Sequence, residues 1–518
     1  MKVSLFYPPV KSRSEIKEQI NPPIGILYIA SNLLEKGHKV TFHDGIIEDL
    51  DVEKFKQILL KERPDYVGIG FVSILRNAGF EFARVAKEIL PNVKVVIGGV
   101  HTSIFPIKVL EKYDFIDYII YNEGEVTFAE LIKKGPRGTK GVCYRKGKKV
   151  VMNPPRDPIK DLDALPKVRW DLCNMKKYIK NTKESGADYL VYPNFGIITS
   201  RGCPGRCTFC ASQKLSINVR RHSPKYVYNL VKELRDKYGI KDIYFLDDTF
   251  ALDINWLKEY RDLLQKKPLD VVYSGQLRAN TSDEVLKLLK QIGFYLVNVG
   301  VESGSQKVLN SMRKGIVVNQ IHQCIETAKK VGLMVKVYLI FGDVSETKED
   351  IQKTVALVNS LPIDEFVWGR LMFLPGSGVA YNKGIPDDWW FKNNYIPFTE
   401  NFDPALINYA WFLMSVNSFF RQTKFKSKLN HKPWILAAIE RLLIIGGLGI
   451  FINKIHFKTK FRYDLLAYLF LPIGIILTAT GINKKLLEFF LGIKYGQKQS
   501  IYFDKDKDIF RDNLSATA

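Results

Sequence analysis

Up to about residue 135 the chain alternates short apolar runs with amphipathic stretches, the pattern of strand followed by helix. Buried strands are expected at 3–7, 39–43, 66–71, 93–97 and 118–121. A helix is expected at 24–35, closed by Gly37, with others near 51–62 and 78–90. Strands joined by right-handed helical crossovers build a doubly wound parallel sheet, whose ligands lie at the carboxyl ends of the strands. The turns at those ends carry Ser73, Gly98-Gly99 and Glu123-Gly124-Glu125.

A hairpin is expected over 142–152, turning near Lys146-Gly147, and it leads into the Pro- and Asp-rich linker NPPRDPIKDLDALP. A second strand–helix series runs from 195 to about 385, with strands expected at 196–199, 243–246, 271–274, 297–301, 335–340 and 366–373. Six parallel strands with helical crossovers predict a partial (β/α)6 barrel with its chemistry at the carboxyl ends. The α/β chain therefore divides into a doubly wound domain at 1–140, hairpin and linker at 141–194, a barrel at 195–385, and a helical region at 386–518.

In that last region the run at 442–452 is apolar, and 465–482 carries no charge but is interrupted by Pro472 and Gly474. A stretch of this length is at the lower limit for crossing a bilayer. An interfacial or re-entrant helix pair is the reading taken, against the plainer one of helices packed on the barrel. The net charge of +23 asks for an anionic partner or surface. From Arg421 to Arg462, ten Lys or Arg stand against Glu440 alone, around the first apolar run. Cationic charge beside apolar sequence favours the inner leaflet of a membrane over nucleic acid. At 46% hydrophobic and 25% charged over 518 residues, the chain reads as globular with several domains. No basic start followed by a long apolar segment suggests a signal peptide. A cytoplasmic protein, peripheral on the inner face of the membrane, is expected.

Six cysteines do not make a disulfide framework, and three of them fall within RGCPGRCTFC, at Cys203, Cys207 and Cys210. The turn at Pro204-Gly205 lets the three sulfurs converge, directly after the first barrel strand. Soft thiolates so spaced hold a soft metal or an iron–sulfur cluster. A cubane with three protein ligands keeps one iron open for substrate or cofactor. The alternative is a structural zinc on the three cysteines and His222, in a non-enzymatic nucleic-acid-binding protein. Cys143, Cys173 and Cys324 read as structural thiols.

C-x3-C-x-aromatic-C, with Phe209 before the last cysteine, resembles the signature of the radical S-adenosylmethionine superfamily. IYFLDDTF, VNVGVESGS, YLIFGDVSET and FLPGSGVAY resemble its second, fourth, fifth and sixth strand motifs. The resemblance implies a [4Fe-4S] cluster on the three cysteines and S-adenosylmethionine on its open iron. It implies a 5′-deoxyadenosyl radical, and an external reductant such as flavodoxin or ferredoxin. It places Phe209, Asp247, Asp248, Arg278, Glu302 and Gly342 around S-adenosylmethionine. NPPIGILYIASNLLEKGHKV, VVIGGVHTS and DYIIYNEGE resemble the cobalamin-binding domain of many relatives. These include anaerobic magnesium-protoporphyrin ester cyclases, hopanoid-modifying enzymes and cobalamin-dependent radical methylases. That domain implies cobalamin near Ser73, Gly98, Gly99, Glu123 and Gly124. No His follows the first strand as an axial ligand, and His43-Asp44 does not fit that place, so cobalamin is expected without a protein His. An empty scaffold domain is the variant reading. Methylation or oxidative cyclisation of an unactivated carbon is the implied reaction, on a hydrophobic lipid or tetrapyrrole.

Each residue has a plainer reading. Gly98-Gly99 can simply end a strand, and Glu125 suits a helix start, where the dipole favours carboxylates. Asp247-Asp248 has little structural reason, since adjacent carboxylates repel, and Glu302 is weighed the same way. Arg278 can pair with a cofactor carboxylate or with one of these acids. His101 and His222 read as satisfied loop histidines.

Overall fold

The structure is a computed structural model and describes residues 1–10, 20–184, 193–212, 218–393 and 396–429. The first sheet contains β1 (Lys2–Tyr7), β2 (Lys39–Asp44), β3 (Tyr66–Gly70), β4 (Lys94–Gly98), β5 (Tyr118–Ile120), β6 (Val142–Lys146) and β7 (Lys149–Met152). Its order is β2-β1-β3-β4-β5-β6-β7, with β1 to β5 parallel. The direction of winding reverses between β1 and β3, the switch point where such sheets bind ligands. Val67, Ile69, Val95 and Ile97 are buried because helices cover the sheet. The helix Arg76–Ile89 supplies Phe80, Phe82, Ala83 and Ala86 to one face.

The hairpin pairs antiparallel with β5, Ile119 opposite Cys143, so it extends this sheet instead of beginning the linker. The linker is itself partly core. Leu162, Leu165, Val168 and Trp170 pack between the two units, with Trp170 edge-on to Phe195 at 5.3 Å.

The second sheet runs β8 (Asn194–Ile197), β11 (Asp242–Phe245), β12 (Val272–Arg278), β13 (Phe294–Glu302), β14 (Met334–Phe341) and β15 (Glu365–Arg370), in that spatial order. All neighbours are parallel, and β8 does not pair with β15, which leaves a half-barrel open along one side. The outward residues Ile243, Phe245, Tyr273, Val297, Val299, Val335 and Val337 are buried beneath the crossover helices. The inward residues are mostly polar, as the period of two along each strand requires. Between β8 and β11, β9 (Ser200–Arg201) and β10 (Arg220–Arg221) form a short antiparallel ladder that closes the loop carrying the cysteines.

The described chain after the barrel packs back on both units. Trp390 is buried in the core of the first sheet, and Arg76 donates to the carbonyls of Trp390 and Asn393. The helix Pro404–Leu429 lies on the barrel, where Ile407, Ala410 and Met414 share one core with Val358 and Leu361. The runs at 442–452 and 465–482 lie outside the described residues, and among those described no helix is long and apolar enough to cross a membrane.

Candidate metal centre and cofactor site

The first barrel strand, β8, is followed by the ladder strand Ser200–Arg201, and Cys203 comes after Gly202, which takes a φ of +95° to turn the chain. A side chain on Gly205 would stand 3.3 Å from Cys203 Sγ and 3.8 Å from Cys207 Sγ, so both sulfurs border the space that this glycine leaves open. The Cys210 amide donates to the Cys207 carbonyl at 3.1 Å, which folds the third cysteine back toward the second. The thiols receive weak donors: the Gly205 amide at 3.4 Å on Cys203, the Ser212 amide at 3.4 Å on Cys210, and Arg278 Nη1 at 3.9 Å on Cys207. None of the three cysteines is in a disulfide. Burial raises the Cys210 thiol above its ordinary range, and neighbouring Asp248 and Cys207 add to that. A cationic iron reverses this preference, because a coordinating thiol is deprotonated.

This donor set fits an iron–sulfur cluster. It does not fit the zinc alternative, because His222 is spent elsewhere. Its Nε2 lies 3.0 Å from Tyr28 Oη, its Nδ1 lies 2.9 Å from Asp163, and its ring stacks on Tyr226. Among the described residues no three His, Cys, Asp or Glu close on a single ion.

Around the cysteines the predicted residues separate. Phe209 packs against Leu371, Phe373, Val379 and Ala380, and the Lys314 ammonium lies 5.9 Å from its ring centre. Asp248 is exposed beside the loop and bonds Ser212. Arg278 reaches Cys207 and donates to the Lys314 carbonyl, pairing with neither aspartate. Glu302 ends β13 with a φ of +65°, unusual for a residue with a side chain, and accepts from Lys314 Nζ at 2.6 Å. A strained residue bearing a buried charge at a strand end is the kind of outlier found at ligand sites. Lys314 was not anticipated, because a lysine before a glycine in a turn carries no sequence signal.

Asp247 is bound into the fold. It is completely buried, and its oxygens accept from the Thr199 amide at 2.9 Å, from the Thr199 hydroxyl at 2.9 Å, and from the amide and hydroxyl of Ser200. These bonds satisfy the turn that launches the cysteine loop, so Asp247 shapes that loop. Gly342 takes a φ of +96°, and a side chain there would strike Thr399 at 2.4 Å. Its amide donates to Glu346 at 2.6 Å. Burial, then Asp343 and Asp350, push the Glu346 carboxyl up to about 7.

On the first sheet, Gly98 and the exposed Gly99 form part of the strand-end rim. Gly99 has a φ of +104°, and a side chain there would meet the Phe71 carbonyl at 2.4 Å. Asn122, exposed and also left-handed at +63°, continues the rim. Bare main chain at the carboxyl ends of these strands makes a ledge suited to a broad ring. Ser73 is turned inward, to His101 Nδ1 at 3.1 Å. Burial and then Arg76 push the His101 imidazole down to about 3, so it stays neutral among Phe71, Phe80, Phe105 and Phe391.

Glu123 is held by two guanidiniums and a main-chain amide. It accepts from Arg201 at 2.9 Å, from Arg220 at 2.8 Å and from the Ile159 amide at 2.7 Å, while Glu125 takes the other Arg201 nitrogen at 2.7 Å. Both glutamates thus bind the first unit to the ladder beneath the cysteines. Gly124 is buried between them, where a side chain would meet Ile29 at 2.9 Å.

A flavodoxin-like sheet ahead of a half-barrel with a three-thiol loop at its carboxyl mouth defines a radical S-adenosylmethionine enzyme with a cobalamin-binding domain. The Radical SAM superfamily pattern matches residues 197–358 and the B12 binding domain pattern matches residues 18–132. An uncharacterised methyltransferase of Pyrococcus horikoshii is 35% identical across 78% of this chain and 88% of its own length. The chain belongs to this family. The anaerobic magnesium-protoporphyrin IX monomethyl ester cyclase of Rubrivivax gelatinosus is 25% identical over 86% of this chain and 80% of its own. In fold, the chain resembles the cobalamin-dependent S-adenosylmethionine radical enzyme OxsB, with a TM-score of 0.68, 15% identity, and coverage of 95% of this chain and 83% of that one. The cofactors of the family are a [4Fe-4S] cluster, S-adenosylmethionine and cobalamin.

Proposed function

We propose that this enzyme functionalises an unactivated carbon of a hydrophobic lipid or tetrapyrrole, by methylation or oxidative cyclisation. The observation that carries the reading is the loop of three cysteines outside any disulfide, closed by β9–β10 and set at the mouth of a half-barrel. When bound, the cluster and S-adenosylmethionine supply a 5′-deoxyadenosyl radical that takes a hydrogen atom, and cobalamin supplies a methyl group. The work of the protein is to place and shield. Cys203, Cys207 and Cys210 hold the cluster. Phe209, Asp248, Arg278, Glu302 with Lys314, and the main chain at Gly342 surround S-adenosylmethionine. Gly98 and Gly99 present the ledge for cobalamin. The buried Glu302–Lys314 pair offers one carboxylate oxygen and one ammonium to the charged amino acid end or ribose of the nucleotide.

A substrate resident in the membrane is supported by the relative's tetrapyrrole ester and by the basic, apolar sequence beyond Leu429. On this reading the enzyme works from the cytoplasmic side, at the membrane surface, with a small electron-carrier protein as reductant. The test is anaerobic reconstitution with iron and sulfide, then reduction with S-adenosylmethionine and hydroxocobalamin. 5′-Deoxyadenosine together with S-adenosylhomocysteine is the result expected for methylation, and 5′-deoxyadenosine alone for cyclisation. Absence of both from protein that carries a full cluster overturns the reading. Full solubility after cell fractionation overturns the membrane part alone.

A further inference from the structure

The inward face of the half-barrel carries a polar floor that none of the cofactor roles uses. Tyr244 on β11, Gln276 on β12 and Asn298 on β13 share that face, because Gln276 pairs in register with Asn298 and bonds Tyr244. Gln276 Nε2 donates to Tyr244 Oη at 3.1 Å, and Asn298 Nδ2 donates to the same oxygen at 3.4 Å. With two donors on its oxygen, the phenol keeps its own proton to give away. Burial, and then Tyr338, push that phenol up to about 12, so it remains protonated.

Asn298 is only 5% exposed, yet its Oδ1 has no hydrogen-bond partner. An unmatched buried acceptor costs about 1–3 kcal/mol, and native proteins rarely keep one without a use. Its sequence neighbours Val297 and Val299 point outward into the core, so the side chain of Asn298 points into the barrel. The floor is open, since Gln276 is exposed, as are Val367 (38%) and Gly369 on the same face of β15. In a strand that rises about 3.3 Å per residue, Asn298 lies roughly 7 Å below the level of Gly300, which pairs with Arg278 beside the cysteines.

We propose that Tyr244, Gln276 and Asn298 bind a neutral substrate group that both donates and accepts hydrogen bonds, a hydroxyl or a carboxamide. The inference rests on the radical S-adenosylmethionine reading and narrows its substrate class. The apolar body of the substrate leaves by the open side at Val367, and its polar end lies beneath the cysteine loop. The reacting carbon is therefore close to a polar substituent, not at the far end of a hydrocarbon. Lys336 of β14 shares this face, in register with Asn298, but it already has a partner, so a carboxylate would set its anionic oxygen against the Asn298 Oδ1 acceptor.

Four fragments of one size test this on the reconstituted full chain: cyclohexanol, cyclohexanecarboxamide, cyclohexanecarboxylate and methylcyclohexane. Dissociation constants are read by saturation-transfer NMR. Cyclohexanol and cyclohexanecarboxamide are expected to bind about tenfold more tightly than methylcyclohexane, the worth of one or two net hydrogen bonds. Asn298→Leu removes that preference, and so does Gln276→Leu, whose exposed site tolerates the change. Iron per chain after reconstitution and the Tm of each variant confirm that it is folded. Equal binding of methylcyclohexane, no binding of any fragment, tightest binding of the carboxylate, or a preference that survives both variants overturns the proposal. Loss of S-adenosylmethionine cleavage in the unaltered chain overturns the underlying reading instead, and the two failures are read separately.

Discussion

Glu123 of the first unit accepts from Arg220 at 2.8 Å, and Arg220 pairs in register with Arg201 in the ladder that closes the cysteine loop. The contact joins residues 97 positions apart, and it makes the entry and exit of the loop depend on a carboxylate from the other unit. Burial alone would raise that carboxyl. The Ile159 amide, Arg201 and Arg220 outweigh burial and hold it below its usual range. Glu125 and Glu123 likewise hold the Arg201 guanidinium charged against its burial.

Replacing Glu123 by Gln leaves Arg201 with Glu125 as its carboxylate partner and Arg220 with the Ile159 carbonyl. Breaking a buried pair from one side costs roughly 3–5 kcal/mol, and Glu125 recovers part of it. The expected outcome is a lower Tm and a loop that loads iron incompletely. Iron and sulfide per chain after reconstitution, together with the EPR spectrum of the reduced cluster, check this. Glu123→Asp, which keeps the charge, restores part of the loading. An unaltered cluster in Glu123→Gln shows that the ladder needs no such support.

Glu302 and Lys314 form the other buried pair, 2.6 Å apart beside Phe209. Lys314→Met and Glu302→Gln each leave one uncompensated charge, so each single variant is expected to be less stable than the double variant, in which neither charge remains. All three are expected to keep the cluster and to raise the KM for S-adenosylmethionine by tenfold or more. Urea titrations give the coupling, and 5′-deoxyadenosine formation gives the KM.

Much of the scaffold could be read from the chain, because the outward face of every barrel strand is apolar and the inward face is not. Membership of the hairpin in the first sheet could not be read, since the pairing of Ile119 with Cys143 is a tertiary fact. The partners of Asp247 could not be read for a related reason. A carboxylate at a strand end has the same sequence signature whether it faces a ligand or receives Thr199 and Ser200. Glu123 was placed correctly on the rim, but its guanidinium partners lie 78 and 97 residues away. The cysteines were legible because their chemistry and spacing are local. Lys314 became visible only once the strain and burial of Glu302 were seen.

The first unit also carries a pH-sensitive contact. His43 lies 2.9 Å from Glu62 and 3.6 Å from Glu48. Burial lowers the imidazole, but the bonds to Glu48 and Glu62 prevail and push it up to about 9. The folded value exceeds the unfolded one near 6.5, so the contribution is complete below about pH 6.5 and is lost as pH rises through about 9. The contribution is at most about 3 kcal/mol. Thermal unfolding followed from pH 6 to 9.5 is expected to show Tm falling more steeply in the native chain than in His43→Gln, and parallel curves would remove the assignment.

Gly99 puts the ledge of the first sheet to its sharpest test. Its φ of +104° is open to glycine and strained for any other residue, and an added methyl carbon would sit 2.4 Å from the Phe71 carbonyl oxygen. That oxygen belongs to main chain next to β3, so it cannot swing aside as the end of a flexible side chain would. Gly99→Ala therefore carries about 1–3 kcal/mol of backbone strain, with the displacement of the β3–β4 rim in addition. Gly98 differs, because a side chain there would meet only the Ile120 carbonyl, at 3.4 Å. Gly98→Ala is expected to fold almost normally and to project its methyl group onto the ledge. If cobalamin lies on this rim, Gly98→Ala lowers the cobalamin retained after gel filtration with little change in Tm. Gly99→Ala lowers both together. Full cobalamin retention in a folded Gly98→Ala protein would place the corrin on some other surface of the first unit.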